Sequence, residues 1–335
     1  MDAVAGLLDG PRAKGAFLLR AVMRPPWSVR VADRAPLSLV AMVRGDSWLL
    51  PEDAEPVAVR RGDVAVLRGP RPYTFADDPA TPPQVTIYPG GRCATPDGAD
   101  LAQSMDLGVR TWGNDPDGPV VMLIGTYQMR GEVGQRLLGA LPEHLVLTPD
   151  DSSGRVRALV SLLGEEIGAA EPGQEVVLDR LLDLLLVAVL RAWFARPGCA
   201  HAWYRAYADP VVGPALRMLH HQPARPWTVA SLARQVGVSR AALARRFTEQ
   251  VGQPPMAFLT RWRLDLAADL LRDSDATLDA VARQVGYGSG FALSAAFKRV
   301  RGVSPHEYRV IHRGPGVRVG VREPGHRESV GHRPA

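Results

Sequence analysis

The apolar residues between positions 27 and 128 come in short runs that Gly, Pro and Asp interrupt at close intervals. Such runs predict short β-strands, and many short strands along one stretch of chain indicate a sandwich or a barrel. The predicted strands are Trp27–Val31, Leu37–Val43, Trp48–Leu50, Pro56–Val59, Val64–Leu67, Tyr73–Phe75, Gln84–Tyr88, Val109–Trp112 and Val120–Gln128. The N-terminal part of the chain is therefore predicted to be a β-rich unit.

Two stretches with the apolar spacing of helices follow, at Ser153–Ala169 and Gln174–Ala195. The second is apolar on nearly every face between Val176 and Phe194, but four charged residues interrupt it there. It therefore lacks the uninterrupted run of about 18 apolar residues that a membrane span needs. A helix of this kind has to be covered on more than one side. We expect one side to pack on the β-rich unit and another to meet a second subunit, with full burial inside one chain as the alternative.

Two segments nearer the C-terminus share one pattern of apolar and polar positions. Residues 228–247 read TVASLARQVGVSRAALARRF, and residues 277–297 read TLDAVARQVGYGSGFALSAAF, with Gly288 as the inserted residue. In each copy an apolar-periodic helix stops at a glycine, Gly237 or Gly286, and a serine then caps a second helix that carries Leu and Phe four residues apart. Each copy predicts a helix-turn-helix. The alternative is a plain αα-hairpin with no role in nucleic-acid binding.

Basic residues are concentrated in the part of the chain that contains this repeat. Residues 211–313 hold 15 Lys and Arg against 7 Asp and Glu, whereas residues 1–210 hold 21 against 26. A local excess of positive charge suits a surface that neutralises DNA phosphates. A solvated basic face without a ligand is the alternative.

The second copy and its surroundings resemble a known DNA-binding domain. The run GYGSGFALSAAFKRVRGVSPHEYR, from Gly286 to Arg309, and the layout of residues Val211–Arg313 are similar to those of the AraC/XylS family of bacterial transcription regulators. The resemblance implies seven helices, with a connecting helix at about Met256–Arg272 that holds two helix-turn-helix units. It also implies recognition helices about 34 Å apart on one side of double-stranded promoter DNA. RNA polymerase would be a further partner if the protein is an activator.

The N-terminal half resembles the sensor domain that such regulators often carry. The turn Arg61-Gly62-Asp63 and the run VAVLRGPRPYTF after it resemble a hairpin and strand of a cupin-like β-barrel. The expected fold class is thus α+β. The expected domains are a ligand-sensing barrel at 1–150, a helical dimerisation segment with a hinge (Arg196–Asp209) at 151–210, a double helix-turn-helix domain at 211–313 and a disordered tail at 314–335.

Helical phase predicts which side chains of the first recognition helix face DNA. If Leu243 and Phe247 point to the core, Arg245 points directly away from it at 100° per residue. Arg245 is the best candidate for a base contact, most simply to guanine O6 and N7. Arg240 and Arg246 lie nearer the sides and are expected to hold phosphates, although each arginine has a plain surface role as its alternative. The predicted contacts of this unit are Ser239, Arg240, Ala241, Ala244, Arg245 and Arg246.

The same phase gives the second recognition helix a poorer surface for reading bases. Ala295 takes the position opposite the core, with Phe291, Lys298 and Arg299 beside it. Phe291 either contacts a thymine methyl group or packs inward away from DNA, and the unit is expected to position the first or to read DNA shape. Its predicted contacts are Ser289, Gly290, Phe291, Ser294, Ala295, Lys298 and Arg299.

The β-rich unit lacks the residues of a metal-dependent cupin enzyme, which holds its metal with several imidazoles. None of the eight histidines precedes His144. We therefore expect no metal and no cofactor, and we interpret the barrel as a pocket for a small-molecule effector. Core packing is the alternative role for each candidate lining residue. The candidates are Trp48, Tyr73, Tyr88, Cys93, Trp112 and Tyr127.

The two cysteines are too few for a disulfide framework, and no N-terminal run resembles a signal peptide. Both observations favour a cytoplasmic protein. Cys93 follows Arg92, whose positive charge would favour the thiolate of a redox sensor, while an inert structural thiol is the alternative.

These patterns together predict a cytoplasmic, dimeric transcription regulator that responds to a small molecule or an oxidant and has no enzyme activity. Two alternatives remain open from sequence. One is a cupin-like enzyme, or a DNA-repair alkyl acceptor using Cys93, fused to a DNA-binding domain. The other is a DNA-binding dimer that needs no ligand.

Overall fold

The computed structural model describes residues 17–127, 129, 131–151, 154–169, 171–196 and 202–312, and its fold class is α+β, as predicted. The predicted tail at 314–335 lies outside the described residues.

Each of the nine predicted strands overlaps an observed one. The strands are β1 (Phe17–Met23), β2 (Ser28–Val31), β3 (Leu37–Arg44), β4 (Ser47–Pro51), β5 (Val57–Val59), β6 (Val64–Arg68), β7 (Tyr73–Ala76), β8 (Val85–Ile87), β9 (Cys93–Ala94), β10 (Asp106–Gly108), β11 (Thr111–Gly113), β12 (Val120–Tyr127) and β13 (His144–Leu147).

The strands form two sheets that pack face to face. One sheet has the order β10-β11-β1-β12-β3-β6-β13 and the other β5-β4-β7-β2-β8-β9. Neighbours are antiparallel except for the parallel pairs β1 with β11 and β2 with β8. A shared core between the sheets contains Met23, Met42, Leu49 and Phe75. The predicted barrel is thus a two-sheet sandwich, because each sheet keeps its own edge strands instead of closing on the other.

The seven-stranded sheet is buried on both faces. On β3, Leu37, Leu39 and Ala41 face a group of helices, whereas Val40 and Met42 face the other sheet. Strands β6 and β12 show the same alternation. Successive side chains of a strand point to opposite faces, so a strand covered on both sides has a continuous apolar run.

Eleven helices follow or interrupt the strands within the described residues. They are α1 (Glu132–Gly139), α2 (Gly154–Glu166), α3 (Gln174–Phe194), α4 (Ala202–Ala208), α5 (Val212–His221), α6 (Val229–Gln235), α7 (Arg240–Val251), α8 (Pro255–Asp273), α9 (Leu278–Val285), α10 (Gly290–Arg301) and α11 (Pro305–His312). The last seven match the layout that the resemblance implied, with α8 as the connecting helix.

Helix α3 packs with one side on the outer face of the seven-stranded sheet, as the sequence predicted. Leu178, Leu182 and Leu186 are buried there. A side-chain Cβ at Gly125 on β12 would come within 2.8 Å of Leu182, so glycine allows this close approach. The Tyr127 hydroxyl also donates to the Leu182 carbonyl at 2.9 Å. Neither α3 nor any other described helix has the length and apolar content that a membrane crossing requires.

Five elements of the sandwich and one helix depart from the sequence prediction. Strands β1, β9, β10 and β13 and helix α1 were not predicted, although β1 lies inside the larger sheet between β11 and β12. Residues 202–208, predicted as part of the hinge, form helix α4. Its buried Ala206 packs in the core of the first helix-turn-helix unit. The Asp209-Pro210 pair that suggested a hinge follows the end of this helix, because proline disfavours helical conformation in the residue before it.

Helix α1 of the sandwich docks on α8 of the C-terminal helices, and its N-terminus is capped across this contact. The N–H groups of Glu132 and Val133 donate to the carboxylate of Asp269 on α8, at 2.8 and 3.5 Å. Val133 also packs against Trp262 in a small buried cluster. A residue distant in sequence therefore supplies the cap that a helix N-terminus needs.

An ion network continues this contact along α1. The Glu132 carboxylate accepts from the Tyr308 hydroxyl at 3.0 Å and pairs with Arg301 at 2.8 Å. Arg301 also pairs with Asp265 on α8 at 2.7 Å, and Asp265 pairs with Arg136 on α1 at 3.1 Å. Since Arg301 and Tyr308 belong to α10 and α11, the sandwich contacts the second helix-turn-helix unit directly.

Replacing Asp269 with alanine should lower the free energy of unfolding by about 1–2 kcal/mol, because both acceptors for the α1 N-terminus are lost. Urea denaturation of the full chain measures the change. The matched control is Glu171→Ala, which removes an exposed carboxylate before α3. Equal stability of the Asp269 variant and the control would contradict a capping role.

Candidate nucleic-acid interface

The first helix-turn-helix unit is built from α6 and α7, each with its own N-terminal cap. Thr228 accepts from the N–H of Ser231 at 3.0 Å, and the Ser231 hydroxyl accepts from the N–H of Thr228 at 2.9 Å. Gly237 follows the end of α6 and has a φ of +72°, a backbone conformation that favours glycine. Ser239 then accepts from the N–H of Ala242 at 3.2 Å and starts α7. The caps and the turn lie where the repeat predicted them.

The second unit, α9 and α10, repeats this construction. Thr277 accepts from the N–H of Ala280 at 3.3 Å, and Ser289 accepts from the N–H of Ala292 at 3.2 Å. Gly286 has a φ of +87° at the equivalent turn. Both copies of the repeat thus form the helix-turn-helix that the sequence predicted.

The buried Leu and Phe pairs fix the phase of both recognition helices. Leu243 and Phe247 on α7 are fully buried, and Leu293 and Phe297 on α10 are fully buried in the same way. The side chain of Arg245 is 78% exposed, and its nearest carboxylate partner on α7 is 4.0 Å away. An exposed pair at that distance contributes little, so the guanidinium is available to a ligand. Of the remaining predicted contacts on this unit, Ser239, Arg240 and Ala241 are exposed and Ala244 is partly buried.

Arg246 has a structural partner as well as an exposed surface. Its Nε and Nη2 atoms contact the carboxylate of Asp209 at 2.9 and 2.8 Å. Asp209 also accepts from the N–H groups of Val211 and Val212, both at 2.9 Å, at the start of α5. Burial alone would raise the pKa of Asp209, but these hydrogen bonds and the arginine charge lower it. The residue predicted to hold a phosphate therefore also fixes α7 to α5.

On the second recognition helix, the exposure of Phe291 excludes one of its two predicted roles. Its side chain is 85% exposed, so it does not pack inward. Gly290 beside it is buried, and its N–H donates to Asp279 on α9 at 2.7 Å. An exposed phenyl ring is available to an apolar base edge such as a thymine methyl group. Among the other predicted contacts, Ser289, Ala295, Lys298 and Arg299 are exposed and Ser294 is partly buried.

The two units contact each other through a link that sequence reasoning missed. Arg263 on α8 donates to two carbonyl groups of the segment Pro223–Arg225, at 2.7 and 2.8 Å. Its guanidinium lies 6.0 Å from the ring centre of Tyr287 in the second unit. A Cβ at Gly286 would lie 2.6 Å from the backbone of Ala224, so the turn of the second unit touches the loop between α5 and α6. No local sequence signal distinguishes Arg263 from the other arginines of α8, because its partners are distant in sequence.

The six candidate pocket residues of the sandwich do not share one site. Tyr73 and Trp112 belong to the core between the sheets. Trp48 points to the opposite face from the buried residues of its strand. Tyr88 is partly exposed and lies under an arginine guanidinium, 4.3 Å from its ring centre. Tyr127 belongs to the core beneath α3. The expectation of one aromatic lining is wrong for Trp48 and Tyr127, because strand alternation directs them elsewhere, and for Tyr88, which follows the end of β8.

Cys93 lies in the core between the sheets and is buried. Burial raises the pKa of its thiol, and the negative charge of Asp100 raises it further. The expectation that a neighbouring arginine favours the thiolate is therefore wrong. The environment matches the alternative of an inert structural thiol.

Two family models match the chain in the regions described above. The cupin model matches residues 2–195, and a helix-turn-helix domain model matches residues 232–310. A cupin region followed by a double helix-turn-helix domain defines the class of DNA-binding transcription regulators with an N-terminal cupin domain.

The chain is similar to several known proteins, one of them over nearly its whole length. It is 36% identical over 313 residues to an AraC-like transcription regulator of Streptomyces lividans, covering 92% of this chain and 98% of the relative. It is 34% identical to the HTH-type transcriptional regulator AlkR of Acinetobacter baylyi, over 53% of this chain and 59% of that protein. A solved DNA-binding domain of AdpA, a global transcriptional factor, in complex with a target DNA is 34% identical, covering 31% of this chain and 94% of that one, with a TM-score of 0.30. The chain belongs to the AraC-like transcription regulators, and double-stranded DNA is its partner.

Arg245→Ala should weaken binding to the preferred DNA sequence by about 1–3 kcal/mol and relax the preference at one base position. Lys298→Ala, on the other recognition helix, should weaken all sequences alike because a phosphate contact carries no base information. Competition gel shifts with operator variants that differ at single positions measure both effects. A uniform loss for Arg245→Ala across all sequences would contradict its role in base recognition.

Proposed function

We propose that the protein is a sequence-specific, effector-controlled regulator, in which the first helix-turn-helix unit reads bases and the second mainly holds DNA. The observation that carries this proposal is the difference between matching positions of the two recognition helices. Arg245 presents an exposed guanidinium on the first, whereas Ala295 presents an exposed methyl group on the second. Only the arginine can form the paired hydrogen bonds that identify guanine.

The second unit has its own means of holding DNA. Lys298 and Arg299 are exposed near the C-terminal half of α10 and suit contacts to phosphates. Phe291 adds an apolar surface near the start of the helix. This unit therefore contributes affinity and a preference for thymine or for DNA shape, while hydrogen-bond recognition rests on the first unit. The protein acts in the cytoplasm, and RNA polymerase is its further partner where it activates transcription.

A small-molecule effector is supported by unsatisfied donors between the two sheets. The indole N–H groups of Trp27 and Trp112 are buried in this core and have no hydrogen-bond partner among the described residues. A buried donor without a partner costs about 1–3 kcal/mol. A ligand with an acceptor atom in the sandwich would remove that cost. The buried thiol of Cys93, with its raised pKa, gives less support to an oxidant as the signal.

A homodimer is supported by an uncovered apolar face on α2 and α3. The two helices form a groove of about 660 Å³, with Leu159, Leu184 and Val187 among its lining residues. Leu184 is 55% exposed on α3, and Leu162 is 48% exposed on α2. A second copy related by a twofold axis would cover this face with the same residues. The inner side of α3 is already buried by the sheet, so the groove is its remaining apolar side.

Gel shifts with the DNA upstream of the protein's own gene and with random DNA test the regulatory proposal at about 0.15 M salt, where non-specific binding is weak. We expect a clear preference for the upstream DNA, and footprinting should show protection in two adjacent major grooves. Equal affinity for both DNAs would contradict sequence-specific regulation. A DNA affinity that no small molecule alters would instead favour a ligand-independent DNA-binding dimer.

Sedimentation of the purified chain tests the dimer. The wild type should sediment as a dimer, and Leu184→Glu should shift it to monomer because burying a charged carboxylate in place of leucine is costly. Val310→Glu is the matched control, since Val310 is similarly exposed on α11 far from the groove in sequence. A monomeric wild type, or a dimer that survives Leu184→Glu, would overturn the assignment of this face.

A further inference from the structure

A separate cavity lies where the sandwich meets the C-terminal helices. Its volume is about 230 Å³, below the range of about 300–1,000 Å³ typical of sites for drug-sized ligands. Arg136 of α1 forms one wall, and Arg261 and Phe258 of α8 form another. Tyr207 of α4 and His220 of α5 also line it. Since the walls come from both parts of the chain, a molecule in this cavity would touch both.

The aromatic wall of the cavity carries no charge at neutral pH. The His220 ring centre lies 5.7 Å from that of Tyr207 and 5.3 Å from that of Phe258. The Tyr207 hydroxyl is hydrogen-bonded to the Nδ1 atom of His220. Burial, with a smaller contribution from the charge of Arg136, lowers the pKa of His220 to about 3, so the imidazole is neutral. Three rings thus offer flat contact surface of the kind that packs against an aromatic or short apolar group.

The lining of the cavity also carries excess positive charge. Arg136 pairs with Asp265 at 3.1 Å, but Asp265 is shared with Arg301. Arg301 in turn is shared with Glu132. Within the part of the chain that the structure describes, no carboxylate lies within ion-pair distance of Arg261. Glu132 and Asp265 thus pair with Arg136 and Arg301, and Arg261 has no carboxylate partner among the described side chains.

The groups around Arg136 act on the pKa of its guanidinium in opposite directions. Burial lowers the pKa of its guanidinium, and the like charges of Arg261 and Arg301 lower it further, while Asp265 opposes them. A carboxylate placed between Arg136 and Arg261 would pair with both and offset this repulsion. Hydrogen bonds between guanidinium and carboxylate groups are strong because both partners are charged.

We propose that this cavity is a binding site for a small organic anion in which a carboxylate bridges Arg136 and Arg261 and a flat apolar group contacts Tyr207, His220 and Phe258. The site lies outside the core between the two sheets, where the effector of the proposed function would bind. Its occupant connects α1 to α8 and so adds a contact between the sandwich and the DNA-binding helices. Anion binding here does not depend on DNA recognition and can be measured without DNA.

Calorimetric titration of the full chain with phenylacetate, 3-phenylpropionate and inorganic phosphate tests the site. We expect 1:1 binding of at least one carboxylate, and binding about tenfold weaker for its neutral amide, because hydrogen bonds from a guanidinium to a charged oxygen are stronger than those to a neutral one. Binding of phosphate alone would show that an inorganic anion suffices and would overturn the assignment of an organic ligand. No binding of any carboxylate, or equal binding of carboxylate and amide, would overturn the proposal.

Two arginine variants locate the bound anion. Arg261→Gln should weaken carboxylate binding about tenfold and should fold normally, because Arg261 is exposed and has no ion-pair partner among the described side chains. Arg283→Gln removes an exposed arginine on α9, away from the cavity lining, and should bind like the wild type. Equal losses in the two variants would mean that only general surface charge is involved. Gel shifts with the same proteins report DNA binding separately, so a failure of either proposal can be told from a failure of the other.

Discussion

The arrangement of this molecule depends on the burial of α8 on several sides at once. Phe258 and Leu259 near its start belong to the core of the first helix-turn-helix unit, and Leu264 and Leu271 further along belong to the core of the second. Trp262 packs against α1 of the sandwich. A helix of 19 residues is about 28 Å long and stiff, so α8 sets how far apart the two units lie. Any force that moves α8 against α1 therefore acts on both units together.

The ion network between α1 and α8 contributes more to the specificity of their contact than to its stability. Asp265 is buried between Arg136 and Arg301. Removing such ions from water costs free energy, and this cost offsets much of the attraction between them. Breaking the network at one member leaves a buried charge without a partner, so alternative dockings of the two parts are disfavoured. The network also ends on α10 and α11 instead of on the first unit. The ion pairs of the sandwich therefore reach the second unit, which has the poorer base-reading surface.

The sequence predicted those parts of the structure whose causes are local. Serine and threonine caps, the turn glycines and the helical phase of Arg245 each depend on residues within one or two helical turns. Helix α1 was missed because its cap, Asp269, lies 137 residues away, and Arg263 was missed for the same reason. The pocket prediction failed at Tyr127 because aromatic character alone does not reveal which face of a strand a residue occupies.

Comparison of the two units separates what a helix-turn-helix needs from what DNA recognition needs. Both copies keep a threonine cap, a turn glycine with positive φ, a serine cap and a buried Leu and Phe pair, and these determine the backbone. Two positions that differ, Arg245 against Ala295 and Ala241 against Phe291, lie on the exposed side of the recognition helix. Substitutions there do not disturb the core, because they change neither packing nor caps. The fold therefore permits the two units to diverge in recognition while α8 and the contact between Gly286 and Ala224 keep their spacing fixed.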